Sequence, residues 1–97
     1  QRDTNTGLEE YVEESSLMLY PNPTSDFLRL EFELKETAEV QMEVLDMRGK
    51  KFLSLDSKTR GIGINTEEIS VADLPAGIYL LQLRVEDGTK TLKFVKQ

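Results

Sequence analysis

At 97 residues, with no cysteine, no histidine and a formal charge of −6, the chain is one small domain at most. It has no disulfide support and lacks the side chains of a Ser-His pair, a thiolate nucleophile, an imidazole base or a His/Cys zinc site. The acidic balance argues against nucleic acid, whose phosphates are bound by clustered Lys and Arg.

No apolar run approaches the ~20 residues that cross a bilayer as a helix. The N-terminus has neither the basic start nor the apolar stretch of a secretory signal, so an exported parent is expected to carry its signal outside this segment. Carboxylates, lysines and hydroxyls remain for chemistry. Paired carboxylates hydrolyse glycosides only where they converge in a cleft, and most of these alternate along strands, so no enzyme and no cofactor are expected.

Residues 1–16 hold Glu9, Glu10, Glu13 and Glu14 but only Leu8, Tyr11 and Val12 as sizeable apolar groups. They read as an acidic, flexible linker. The spacing of Leu8, Tyr11 and Val12 also suits one helical turn against a partner, although a single turn is marginal in water.

From Leu17 the period becomes two, and residues 17–97 read as the folded domain. A short first strand leads into the prolines Pro21 and Pro23, which fix φ, remove two amide donors and force an extended corner. Leu28, Leu30, Phe32 and Leu34 then alternate with polar residues, as do Val40, Met42 and Val44. The link between these two runs, Lys35-Glu36-Thr37, is so short that they are expected to pair antiparallel.

Asp46-Met47-Arg48-Gly49-Lys50 supplies a turn whose Gly49 tolerates positive φ, returning the chain into Phe52-Leu53-Ser54-Leu55. Residues 56–63, polar and glycine-bearing, read as a loop, and residues 64–69 as a weaker strand at an edge. Asp46, Asp56 and Asp87 do not fall into a calcium-loop spacing, so calcium could be held only by groups that folding brings together.

Leu74-Pro75-Ala76-Gly77 is a turn with Pro75 at its first central position and Gly77 available for the strained one, so a bulky residue at 77 is expected to unfold the domain. It launches the best strand, with Tyr79, Leu81, Leu83 and Val85 inward. Asp87-Gly88 is the strongest hairpin signal, with positive φ expected at both residues. In the last strand Phe94 is expected in the core, with Lys93 and Lys96 exposed as guards of a sheet edge. About seven strands without a convincing helix predict an all-β fold, a small antiparallel immunoglobulin-like β-sandwich.

Four motifs in order, Leu19-Tyr20-Pro21-Asn22-Pro23-Thr24-Ser25, Asp46-Met47-Arg48-Gly49-Lys50, Leu74-Pro75-Ala76-Gly77-Ile78-Tyr79 and Lys93-Phe94-Val95-Lys96, give the chain a family likeness. It resembles the C-terminal sorting domain of cargo exported by the type IX secretion system of Bacteroidota, over residues 17–97. The resemblance implies a secretion signal on a larger precursor, which enters the periplasm and is recognised by an outer-membrane translocon and its shuttle protein. It further implies cleavage upstream, in or before residues 1–17, by a cell-surface sortase that attaches the cargo, leaving it at the outer membrane, cell surface or extracellular space.

Pro21, Asn22, Pro23, Lys93, Phe94, Val95 and Lys96 are the recognition candidates that this resemblance implies, the terminal strand being gripped by strand addition at its edge. Removal of residues 93–97 is then expected to impair export more than folding. Gly49, Pro75, Gly77 and Gly88 are the fold-determining turn residues. Exchange of the first strand could make a strand-swapped homodimer of the isolated domain. The rival reading is an accessory adhesion or carbohydrate-binding sandwich, which the low aromatic content of 7% without tryptophan disfavours.

Overall fold

The computed structural model describes residues 6–97. A six-residue helix α1 (Thr6–Tyr11) is followed by seven strands: β1 (Val12–Tyr20), β2 (Phe27–Leu34), β3 (Ala38–Asp46), β4 (Lys51–Arg60), β5 (Gly63–Ser70), β6 (Gly77–Val85) and β7 (Gly88–Lys96). They form two antiparallel sheets, β1-β2-β5 and β4-β3-β6-β7, packed as an immunoglobulin-like sandwich. The period-two pattern is the cause. Leu28, Leu30, Phe32 and Leu34 of one sheet and Val40, Met42, Val44, Leu81, Leu83 and Val85 of the other are all buried between the layers.

Four expectations are corrected. β2 and β3 do not pair; each lies in a different sheet, and the three-residue link crosses the sandwich. Both strands have one apolar face, and that face is satisfied as well by stacking across the core as by sitting side by side.

Residues 56–60 are strand, not loop. β4 pairs β3 as far as Arg60, with a bulge that sets Asp56 and Ser57 against Gln41. Their polar character reflects an edge strand whose inward positions carry charge: Lys58 stands opposite buried Val40, and Arg60 pairs with Glu67 of β5 across the open flank. Bulges and inward charges discourage pairing with another chain.

Of the expected linker, residues 1–5 lie outside the described residues. Beyond them α1 and the first half of β1 are packed, with Leu8 0% and Val12 1% exposed. The boundary expected at Leu17 therefore falls inside β1. The acidic side chains face solvent while Leu8 and Val12 enter the core, so composition concealed the burial. β1 then bulges between Glu13 and Met18. There the Ser16 hydroxyl accepts the Glu33 N–H at 2.8 Å and donates to the Glu13 carbonyl at 2.5 Å, standing in for backbone pairing.

The β6–β7 hairpin departs from expectation as well. Glu86 and Asp87 are the connecting residues, and positive φ falls on Glu86, at 52°. Glu86 is held there by Glu39, whose N–H donates to the Glu86 carboxylate at 2.8 Å and whose carbonyl accepts the Glu86 N–H at 3.0 Å. Glycine at 88 answers a different demand: a Cβ there would lie 2.0 Å from the Leu8 backbone nitrogen, so α1 rests directly on its bare backbone.

Candidate functional site

Register brings all four sequence motifs to one end of the sandwich. Asp46, at the end of β3, pairs with Tyr79, at the start of β6. Tyr79 in turn pairs with Phe94, and Gly77 with Lys96, near the end of β7. The proline corner, which joins β1 to β2, closes the same pole, and Gly88 lies at the opposite one.

The turn before β6 is tied back by a side chain. The Tyr79 hydroxyl donates to the Pro75 carbonyl at 2.6 Å, the tyrosine corner found where a sandwich strand crosses between sheets. The ring packs edge-on to Phe52 at 5.5 Å and stacks on Phe94 at 5.6 Å. The Lys50 ammonium covers Phe52 at 5.2 Å. A Cβ at Gly77 would meet only the Tyr79 ring, at 3.9 Å, an ordinary contact; what favours glycine there is the backbone, whose φ of +159° L residues rarely adopt, in line with the turn conformation expected of it.

Lys96 is not an exposed guard of the edge. It shares the inward phase of Phe94 and is 8% exposed. Its Nζ donates to the Leu74 carbonyl at 3.0 Å and to the Gln97 carbonyl at 3.3 Å. A buried ammonium needs acceptors, and the carbonyls supply them. Since Phe94 is also fully buried, removal of residues 93–97 opens the core. Truncation therefore cannot separate export from folding as expected.

The proline corner completes the β7 edge. Both of its X-Pro bonds, Tyr20-Pro21 and Asn22-Pro23, are cis. Between the prolines, the Asn22 carboxamide accepts the Val95 N–H at 3.0 Å and donates to the Lys93 carbonyl at 3.2 Å. Thr24 continues the pairing with its backbone: its N–H donates to the Val95 carbonyl at 2.9 Å, and its carbonyl accepts the Gln97 N–H at 2.8 Å. The buried Thr24 hydroxyl donates to the Phe27 carbonyl. This half of the edge, expected to be open to strand addition, is occupied by the chain itself.

The β3–β4 turn is organised by Asp46, whose Oδ1 accepts the N–H groups of Arg48 and Lys50, each at 2.9 Å. These bonds, that of Lys50 foremost, hold the carboxyl below its ordinary pKa. Gly49 takes φ +92° at the tight point of the turn.

Among the recognition candidates, then, Pro21, Asn22, Pro23, Lys93 and Val95 are exposed at this pole, whereas Phe94 and Lys96 are buried beneath it. Sequence reading missed Thr24, Asp46 and the Tyr79 hydroxyl as organisers. Two signals were present: a tyrosine four residues after proline, and an aspartate two and four residues before amides that need an acceptor.

The aromatic side chains Phe32, Tyr79 and Phe94 are buried and offer no platform for a stacked sugar, whereas Phe27 is exposed. An open cavity of about 220 Å³ on the β4–β5 flank is lined by aliphatic and charged residues such as Val40, Met42, Lys58 and Arg60, and by no aromatic ring. Among the described residues no cluster of carboxylates is arranged to hold a metal ion. A family model described as the secretion system C-terminal sorting domain matches residues 18–97. No curated protein matches the chain.

Proposed function

The chain belongs to the secretion system C-terminal sorting domain family, and on that premise we propose that its motif pole is what the export machinery reads on a larger precursor. As a type IX sorting domain it directs cargo across the outer membrane. The finer reading is that the outer-membrane translocon and its shuttle protein engage the folded sandwich, and that a surface sortase then cleaves upstream and attaches the cargo to the cell surface. The observation that supports it most is the convergence of four distant motifs on one pole with exposed Pro21, Asn22, Pro23, Lys93 and Val95.

In this reading the domain is a substrate and an address, not a catalyst. Cleavage within α1 or the start of β1 is disfavoured in this reading, because Leu8 and Val12 anchor that segment in the core and a protease needs an extended, accessible backbone. Exchange of the α1–β1 arm between copies is the dimer this topology allows, and light scattering of the isolated domain tests it.

The test of function is a fusion of residues 1–97 to a periplasm-directed fluorescent reporter in a type IX-competent bacterium. Export that is lost in a translocon-deficient strain supports the reading. Retention of the fusion in the periplasm of the competent strain removes it.

A further inference from the structure

The outer face of the larger sheet carries a row that the register fixes strand by strand: Lys51 of β4 opposite Leu45 of β3, Leu45 opposite Leu80 of β6, and Leu80 opposite Lys93 of β7. Two leucines are thus bracketed by two lysines. One step nearer the motif pole lies the cross-strand pair Ile78 and Val95, 47% and 39% exposed. Apolar residues side by side on a solvent-facing sheet are more informative than single exposed ones, because contiguous patches mark contact surfaces.

The lysines stand out against a chain of net charge −6. Lys93 joins none of the ion pairs among the described residues, and Lys51 meets only Glu43, at 3.0 Å with the Lys51 side chain half exposed. A surface pair of that kind is exchanged at small cost. Three strand spacings place the two lysine backbones about 14 Å apart.

The sheet edges offer less. β1 and β4 are bulged, β4 carries inward charge, the pole half of β7 is taken by Asn22 and Thr24, and β5 has Arg60 of β4 paired with its Glu67 across the flank. The face, by contrast, carries the contiguous apolar patch.

We propose that the Leu45–Leu80–Ile78–Val95 patch, bracketed by Lys51 and Lys93, is the docking surface for a protein partner that presents an apolar ridge flanked by carboxylates. The inference rests on the sorting reading, and the partner is a component of the export machinery. Charge complementarity selects a protein over a bilayer. Anionic lipid is gripped by clusters of about four to eight basic residues over a uniform surface, whereas two lysines at fixed separation match two fixed carboxylates.

The experiment compares export of the reporter fusion bearing Ile78→Ser with Val95→Ser, or Lys93→Glu, against wild type and against Ile62→Ser with Ile64→Ser at exposed apolar positions of the other pole. Thermal unfolding of each purified domain checks folding. Export about tenfold lower in the patch variants, with unfolding and the control pair unchanged, is expected. Export equal to wild type in the patch variants overturns the proposal while leaving the sorting reading intact. Failure of the wild-type fusion to be exported overturns both. Co-sedimentation with phosphatidylcholine vesicles containing phosphatidylglycerol, abolished by Lys93→Glu, overturns the protein partner in favour of a membrane.

Discussion

The Lys96 ammonium reaches across 22 positions of sequence to donate to the Leu74 carbonyl at 3.0 Å, joining the last strand to the turn that precedes β6. Lys96→Met keeps the apolar stem but removes the donor and leaves a carbonyl without its partner. A loss of about 1–3 kcal/mol is expected, read as a lower urea midpoint with an unchanged slope.

Tyr79→Phe deletes only the hydroxyl that holds Pro75, leaving both ring contacts in place. About 1 kcal/mol of stability should be lost. Export of the folded fraction should be unchanged in the fusion assay, since Tyr79 is buried and presents nothing to a partner.

Asn22→Leu fills similar volume without a carboxamide, so the Val95 N–H loses its acceptor. Hydrogen exchange at the Val95 amide should accelerate while amides in the β3–β6 ladder stay protected. Equal exchange at Val95 in the two proteins would show that the corner does not pin β7.

Gly88→Ala puts a methyl group where the Leu8 backbone already lies. Overpacking of this sort costs about 1–3 kcal/mol. It should act by displacing α1, so limited proteolysis near Leu8 ought to quicken well before global unfolding.

Asp46 sets a pH dependence. Its folded pKa is held below the ordinary carboxyl value by the Lys50 and Arg48 amides. The unfolded chain therefore binds the proton more readily, and the contribution to stability, present above the unfolded pKa near 4, is lost as pH falls through the lower folded value. Acid titration should loosen the β3–β4 turn below pH ~4. Asp46→Ala should remove that part of the titration.

Alternation made β2, β3 and β6 legible, because each has one apolar face, and β7 through Leu92 and Phe94. What alternation cannot specify is the neighbour. The same face on β2 and β3 fits side-by-side pairing or stacking across the core, and the structure stacks them. β4 was readable only as far as Leu55, since beyond its bulge the inward positions are Lys58 and Arg60, which look like loop.

The site was legible as letters more than as geometry. Asn22 and Lys93 stand out as motif members, yet nothing local says that the carboxamide serves as a piece of strand. Lys96 has the composition of a surface residue and the phase of a core one. Phase decided its place, and two carbonyls made the burial tolerable.

The bonds that assemble the pole are among the last the chain can make. Asn22 meets Lys93 and Val95 across 71 and 73 positions, and loops of that length close slowly relative to local hairpins. A nascent chain that has emerged only through β6 carries three of the four motifs and none of the contacts between the corner and β7. If the pole is the surface the export machinery reads, as proposed, its reader distinguishes a finished sandwich from an unfinished one, and address and proof of folding are delivered together.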